Sequence, residues 1–447
     1  MLRIWTFQDQ WWEKERALQS SPGEYNERFL VGLDTLISQA STLGIRLLLC
    51  LSNYWEDYGG AMAYVKWAHA AGETGPNGEP LRHREDFFTS NMCRDWFKKF
   101  ISKMLSRTNT VTGLPYRDDP SIFAWELINE PRVMGDSTGD ILQNWIEEMA
   151  VFAKGLDEKH LLTVGTEGFY GQSDSEQSKS ENPVGGAEKM GSDFTRNFLT
   201  SSLDFACVHM WVDLWLFCDE VCKLNFAERW IAGHLEVSRD GFDKPVILEE
   251  FGKWKPLEVR DAFFQKSFEV SLPPTSPVSS HAGGSLFWHM DPANYPYNED
   301  GFSVQAKVET DVARIVKAAA QNAYDSDTYS TFARAVGESM EDFSGSVSET
   351  STSDVGTSTP SAPSNPPAQV AAPSNLPAQS YSSSPTSSSP DSGTDPEKPV
   401  VYMSPSAHSH GAGSDAPGAI PRYKFDSVPT SGAPARQDTD VDKEPEG

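Results

Sequence analysis

The chain has 447 residues, with 64 Asp and Glu against 37 Lys and Arg, a formal net charge of -27. That sign excludes nucleic acid and anionic membrane surfaces as natural partners, while a neutral polymer such as a polysaccharide is compatible with it. No run approaches the 18 apolar residues of a membrane helix, and five cysteines are too few and too scattered for a disulfide-built scaffold.

Taken in chain order, β-rich apolar runs occur at 2–7, 45–52, 121–128, 161–167, 204–210, 244–250 and 284–290. Helical patterns near 27–43, 87–107, 138–156, 191–201, 224–238, 257–271 and 305–322 alternate with them. In the first helix Phe29, Leu33, Leu36, Ile37 and Ala40 fall at helical spacing. Continuous apolar strands joined by helices predict a parallel sheet covered on both faces. Seven repeats over this length predict an α/β protein of the (β/α)8 TIM-barrel class rather than an open doubly wound sheet. No G-x-G-x-x-G follows the first strand, which weakens a dinucleotide-binding reading further.

Seven strands are one short of that barrel, and the chain opens directly on a strand. The first βα unit is therefore expected to be missing from this sequence. The opening "MLRIWTFQDQWW" has neither the apolar core nor the cleavage site of a secretory leader. Residues 1–324 are expected to form the folded domain. Residues 325–447 turn to Ser, Thr and Pro with little to bury and are expected to be disordered. Cys218 and Cys222, four apart in "FCDEVCKLNF", admit a local disulfide or two reduced thiols. A zinc site is less favoured, because no His or Cys partners flank the pair.

Barrel enzymes build their sites at the C-terminal ends of the strands. Those ends carry Arg3 with Trp5, Asn53 with Trp55, Asn129–Glu130, Glu167, His209 with Trp211, Glu250, and Trp288. "SIFAWELINEPRV" and "DKPVILEEFGKW" each end an apolar run in acid. Two carboxyls across one cleft suit glycosidic cleavage: one protonates the leaving oxygen, the other attacks the anomeric carbon or activates water. Spacing alone does not choose among the acids. Glu126 also reads as a buried, paired carboxylate, and strand alternation predicts that Glu249 and Glu250 face opposite ways. Trp11, Trp12, Trp211 and Trp215 read as packing more readily than as sugar platforms, and His209 reads equally well as structural or catalytic.

With these residues in view, "FAWELINEPR" and "KPVILEEFGK" resemble the retaining barrel glycosidases of glycoside hydrolase family 5. "LRIWTFQD", the N-x-W-x-x-Y-G-G pattern within "LSNYWEDYGGAMAYVKWA", and "LQNWIEEMAVFAKGLDEKHLLTVGTEGFYG" narrow this to the plant and fungal type of endo-β-1,4-mannanase, from residue 2 to about 320. The resemblance implies Glu130 as general acid/base and Glu250 as nucleophile. It implies Asn129 on the sugar 2-hydroxyl, Arg3 orienting Glu250 and holding it ionised, and His209 beside the acid/base. Trp288 would be the stacking floor, with Arg132 and Trp55 touching the leaving-side sugars. On this reading Glu130 has a raised pKa and Glu250 stays charged. The family's His-x-Tyr is here "HMW", so Trp211 stands where a tyrosine would touch the nucleophile.

The implied activity is double-displacement hydrolysis of internal β-1,4-mannosidic bonds in mannan, glucomannan or galactomannan. The implied protein is a secreted monomer acting without metal or cofactor. Competing expectations are a related β-glucanase, a mannan transglycosylase, or a non-catalytic carbohydrate-binding protein.

Overall fold

Apolar runs in this sequence become parallel strands whose outward faces are covered by helices. The computed structural model describes residues 1–9, 15–254, 256–272, 279–291, 300–305 and 309–325. Trp11, Trp12 and the Ser/Thr/Pro-rich region from 326 onward lie outside the described residues.

Strand β1 (Leu2–Trp5) leads through a short antiparallel pair, β2 (Gln19–Ser21) and β3 (Glu24–Tyr25), into α1 (Glu27–Thr42). Next come β4 (Leu47–Cys50), α2 (Gly60–Ala70), α3 (Asp86–Thr89) and α4 (Asn91–Leu105). They are followed by β5 (Ile122–Asn129), α5 (Asp140–Lys154), β6 (Leu161–Gly165), α6 (Glu176–Ser180) and α7 (Phe194–Phe198). The remainder is β7 (Ala206–Met210), α8 (Val212–Trp215), α9 (Glu220–Gly241), β8 (Val246–Phe251), α10 (Leu257–Ser271), β9 (Ala282–Ser285) and α11 (Thr310–Asp325).

The seven long-range strands pair in parallel and in chain order, β1-β4-β5-β6 and β7-β8-β9, the succession of a TIM barrel. Mostly side-chain bonds stitch the seam between β6 and β7. Leu162 N donates to Asp204 Oδ2 (2.7 Å), and Thr163 and Thr166 hydroxyls donate to Phe205 O (2.9 Å) and Cys207 O (2.8 Å). Among the described residues β1 and β9 have one strand partner each. Between them a groove of about 1080 Å³, lined by Leu2, Phe123, Phe268, Leu286 and Val316 among others, runs up to Trp5, Glu250 and Trp288.

Two apolar layers frame the sheet. Leu48, Ala124, Leu161, Phe205, Cys207 and Ile247 plug the barrel interior, contributed by β4, β5, β6, β7 with its immediate approach, and β8. Outside, Trp125, Trp145, Trp230, Phe87, Phe97 and Phe100 are fully covered by helices. The core face of α1 is rotated from the expected one: Leu30, Asp34, Ile37 and Ala40 are buried, while Leu36 is exposed. Asp34 is tolerated there because Arg107 donates to it at 2.6 and 2.8 Å and the Tyr116 hydroxyl at 2.5 Å. Cys218 and Cys222 form a disulfide with Cα atoms 6.0 Å apart. None of the described helices is long and apolar enough to cross a membrane.

Candidate active site

Above the apolar plug the barrel interior turns charged. Arg3 enters from β1, Glu126 and Asn129 from β5, His209 from β7, and Glu249 and Glu250 from β8. Arg3 Nε and Nη2 donate to the two oxygens of Glu126, each at 2.6 Å, a fork-to-carboxylate pairing. Nη2 also donates to Asn129 Oδ1 (2.7 Å), and Nη1 donates to Glu250 Oε1. Glu126 is thus the paired interior carboxylate that its place within the strand suggested.

The expectation that Glu249 and Glu250 face opposite ways is overturned. The β7–β8 register pairs Val208 with Leu248 and then His209 with Glu250, so Glu249 is the extra residue on β8. That irregularity turns both carboxyls inward. Glu249 accepts from His209 Nε2 (3.1 Å) and from the Cys207 thiol (3.2 Å), and lies 3.5 Å from Arg3 Nε. Gly165 on β6 makes the room: a Cβ there would lie 2.1 Å from Glu126 Oε1 and 2.9 Å from Glu249 Oε2.

Glu130 follows β5 with φ 46°, a sparsely populated region for a non-glycine residue that costs roughly 1–3 kcal/mol. This turn points the carboxyl over the strand ends. Its Oε1 meets His209 Nδ1 (2.8 Å) and the Trp211 indole N–H (3.2 Å), and its Oε2 accepts from Trp55 Nε1 (2.6 Å). One oxygen of Glu130, one of Glu250 and a ring nitrogen of His209 all lie within 4.8 Å of one another. That spacing alone would also admit a divalent cation. However, the His209 nitrogen facing the carboxyls is already held by Glu130, and the Arg3 charge already serves Glu250.

The charge assignment differs from the expected one. Burial would raise the Glu130 carboxyl, but the bond and charge of His209, then Arg132 and the Trp55 indole, bring it down to about 2. Burial pushes Glu250 up to about 7; His209 and Arg3 oppose this, whereas Glu130 and Glu249 add to it. Burial alone would lower His209, but Glu250, Glu130 and Glu249 together hold it well above the usual imidazole range. Arg3 does touch Glu250, yet it is divided among three carboxylates, so it does not keep Glu250 fully ionised near neutrality.

The remaining expected residues are all nearby, with altered partners. Arg132 makes a buried fork to Glu167 (2.6 and 2.7 Å) and lies 5.0 Å over the Trp55 ring. Asn129 Nδ2 donates to Asn53 Oδ1 at 3.0 Å. Trp211 donates to Glu130 rather than to Glu250, and packs edge-on against Phe302 at 5.0 Å. Gly252 admits it, since a Cβ there would lie 2.9 Å from the Trp211 ring. Trp215 is buried as packing. Trp288 is half-buried on the groove, 5.5 Å from the Trp5 ring, with its indole N–H on Asp300 Oδ2 at 2.9 Å. At this site two buried donors, Trp5 Nε1 and Asn53 Nδ2, have no hydrogen-bond partner among the described residues.

A barrel that brings two carboxyls, an imidazole and a guanidinium together at its strand ends defines a glycosidase-type site. Residues 6–329 match the family model described as GH family 5 beta-mannosidase-like, and the chain belongs to that family. It is 39% identical over 326 residues to mannan endo-1,4-beta-mannosidase 2 of Oryza sativa subsp. japonica, covering 70% of each chain. It is 43% identical over 296 residues to mannan endo-1,4-beta-mannosidase 2 of Arabidopsis thaliana, covering 64% of this chain and 65% of the relative. Among solved structures it resembles the endo-beta-1,4-mannanase from Thermotoga petrophila. The TM-score is 0.61 and the identity 28%, over 72% of this chain and 70% of that one.

Proposed function

We propose that this chain is a retaining endo-β-1,4-mannanase that cleaves internal β-1,4-mannosidic bonds in mannan, glucomannan or galactomannan. The observation that carries the reading is the close approach of Glu130 and Glu250, whose facing oxygens lie within 4.8 Å of each other. Retaining glycosidases hold their carboxyls roughly 5–5.5 Å apart; inverting ones need room for a water between them.

Glu250 Oε2 or Oε1 attacks the anomeric carbon while Glu130 delivers a proton to the leaving oxygen; the C–O bond breaks and a glycosyl ester forms on Glu250. Water, deprotonated by Glu130, then attacks the same carbon and frees Glu250. Glu130 and Glu250 share His209 and titrate as one unit; the single proton of the pair rests on Glu250, and the productive form is the one in which that proton has passed to Glu130. Asn129, held by Arg3 and Asn53, presents its amide to the sugar 2-hydroxyl. Trp288 forms the apolar floor, and the unmet donors of Trp5 and Asn53 suit sugar hydroxyls. Arg132 and Trp55 shape the leaving side. The Cys218–Cys222 disulfide supports an oxidising, extracellular setting.

The test is reducing-end release from mannan against cellulose, with the anomer of the first product read by NMR. Wild type is expected to cut mannan and yield the β-anomer, while Glu250→Ala and Glu130→Gln lose nearly all activity. Turnover indifferent to both substitutions rules the reading out.

A further inference from the structure

We propose that Glu249 is a positioning residue that keeps the His209 ring doubly protonated against the acid/base Glu130. The inference rests on the proposed roles of Glu130 and Glu250, and goes beyond them to a residue that the two-carboxyl scheme does not use.

The argument is one of donors and acceptors. His209 is fully buried, and a carboxylate oxygen lies against each of its ring nitrogens: Glu130 at Nδ1 (2.8 Å) and Glu249 at Nε2 (3.1 Å). An ionised carboxylate only accepts hydrogen bonds. A neutral imidazole protonates one nitrogen and leaves a lone pair on the other, so one of the two contacts would set lone pair against lone pair. Both contacts are satisfied together when both nitrogens carry protons. Glu249 stays ionised to play this part, because Arg3, the His209 bond and the Cys207 thiol outweigh its burial and hold its carboxyl below the usual range.

The charged groups around His209 come from every strand packed against it. Glu126 and Glu130 face it from β5, and Glu167, already neutralised by Arg132, from the end of β6. Glu249 and Glu250 face it from β8, with Arg3 of β1 behind them. Of these, Glu249 alone is at hydrogen-bond distance from Nε2.

Removing the Glu249 charge therefore affects the two functional carboxyls differently. Glu130 loses the imidazolium bonded to it, and its pKa rises. Glu250 loses one nearby positive and one nearby negative charge, which oppose each other.

Two measurements test this. The first needs no turnover: in the full chain with 15N-labelled histidine, both His209 ring nitrogens are expected to be protonated at pH 7, assigned by loss of the signals in His209→Gln. A neutral ring at that pH overturns the proposal whether or not the protein cleaves mannan. Conversely, a doubly protonated ring in an inactive protein sinks the functional reading and leaves this one standing. The second compares Glu249→Gln, which keeps the shape, with Glu249→Asp, which keeps the charge. In the Gln variant the acid limb of the kcat/KM profile on mannan is expected to move up by roughly 1–3 pH units. In the Asp variant it stays near wild type. A folded Gln variant with lower activity and an unmoved acid limb overturns the proposal. If neither variant folds, the nitrogen signals of the wild-type protein decide it.

Discussion

Replacing Arg3 by Met tests whether one guanidinium neutralises the interior carboxyls. Arg3 is bonded to Glu126, Asn129 and Glu250 and lies 3.5 Å from Glu249. Methionine fills similar space with no charge. Removing one partner of a buried ion pair costs about 3–5 kcal/mol. At roughly 2–3 °C per kcal/mol for a domain of this size, Tm falls by roughly 6–15 °C. The loss must depend on pH. Unfolded carboxyls titrate near 4.3. A carboxyl whose folded pKa is raised above that value loses stability as pH rises towards the folded value. Glu250 already stands at about 7, and Glu126 is also raised, burial being the main cause for both. Without Arg3 both rise further. The Tm gap between wild type and variant should therefore be small near pH 4 and widen up to pH 8. Activity at neutral pH should drop roughly 5- to 500-fold, because Glu250 is already half protonated there and a pKa rise of about 1–3 units leaves that much less of it ionised. Thermal melts at four pH values and a reducing-sugar assay are sufficient. A Tm gap that is flat with pH would refute the charge argument, even if the variant were unstable.

Gly165→Ala puts a methyl 2.1 Å from Glu126 Oε1, and that carboxylate is pinned by the Arg3 fork; we expect a more than tenfold loss of kcat with mannan binding retained, checked by kinetics and titration with mannohexaose. Trp55→Phe removes the N–H donor on Glu130 Oε2, so the Glu130 pKa should rise and the acid limb of the pH profile with it, read from kcat/KM. Replacing both Cys218 and Cys222 by Ser opens a five-residue loop and should cost roughly 2 kcal/mol, read from denaturant melts, with kcat on mannan unchanged. Dialysis against EDTA should leave mannan hydrolysis intact; a loss restored by a divalent cation would favour a metal at the Glu130–His209–Glu250 trio.

Strands β4 to β8 were legible because each is an apolar run buried on both faces, a property local to the sequence, whereas β1 and β9 are only partly buried. The convergence of Glu130 and Glu250 at the strand ends was legible through the motifs around them. Helix α2 was not: Gly60, Ala61, Ala63, Tyr64, Val65 and Ala68 are all buried, so "GAMAYVKWAHA" shows no clean polar face to mark a helix. The inward turn of Glu249 was hidden for another reason. Alternation is a rule for a regular strand, and the register shift that breaks it arises from pairing with β7, some forty residues away. Protonation was the least legible of all. A rule that places an arginine beside a nucleophile counts one pair, whereas here four carboxyls share one guanidinium and one imidazolium. Trp211 illustrates the same point: the sequence marked it as a departure, and only its packing on Phe302 turns its N–H to Glu130.

Arg3 and Glu250 are separated by 247 positions along the chain. Contacts of that span form late, because a very long loop must close before they are gained. Regain of catalysis during refolding should therefore trail the recovery of helical signal, and a chain still emerging from the ribosome would carry Arg3 and Glu130 well before Glu250 could join them.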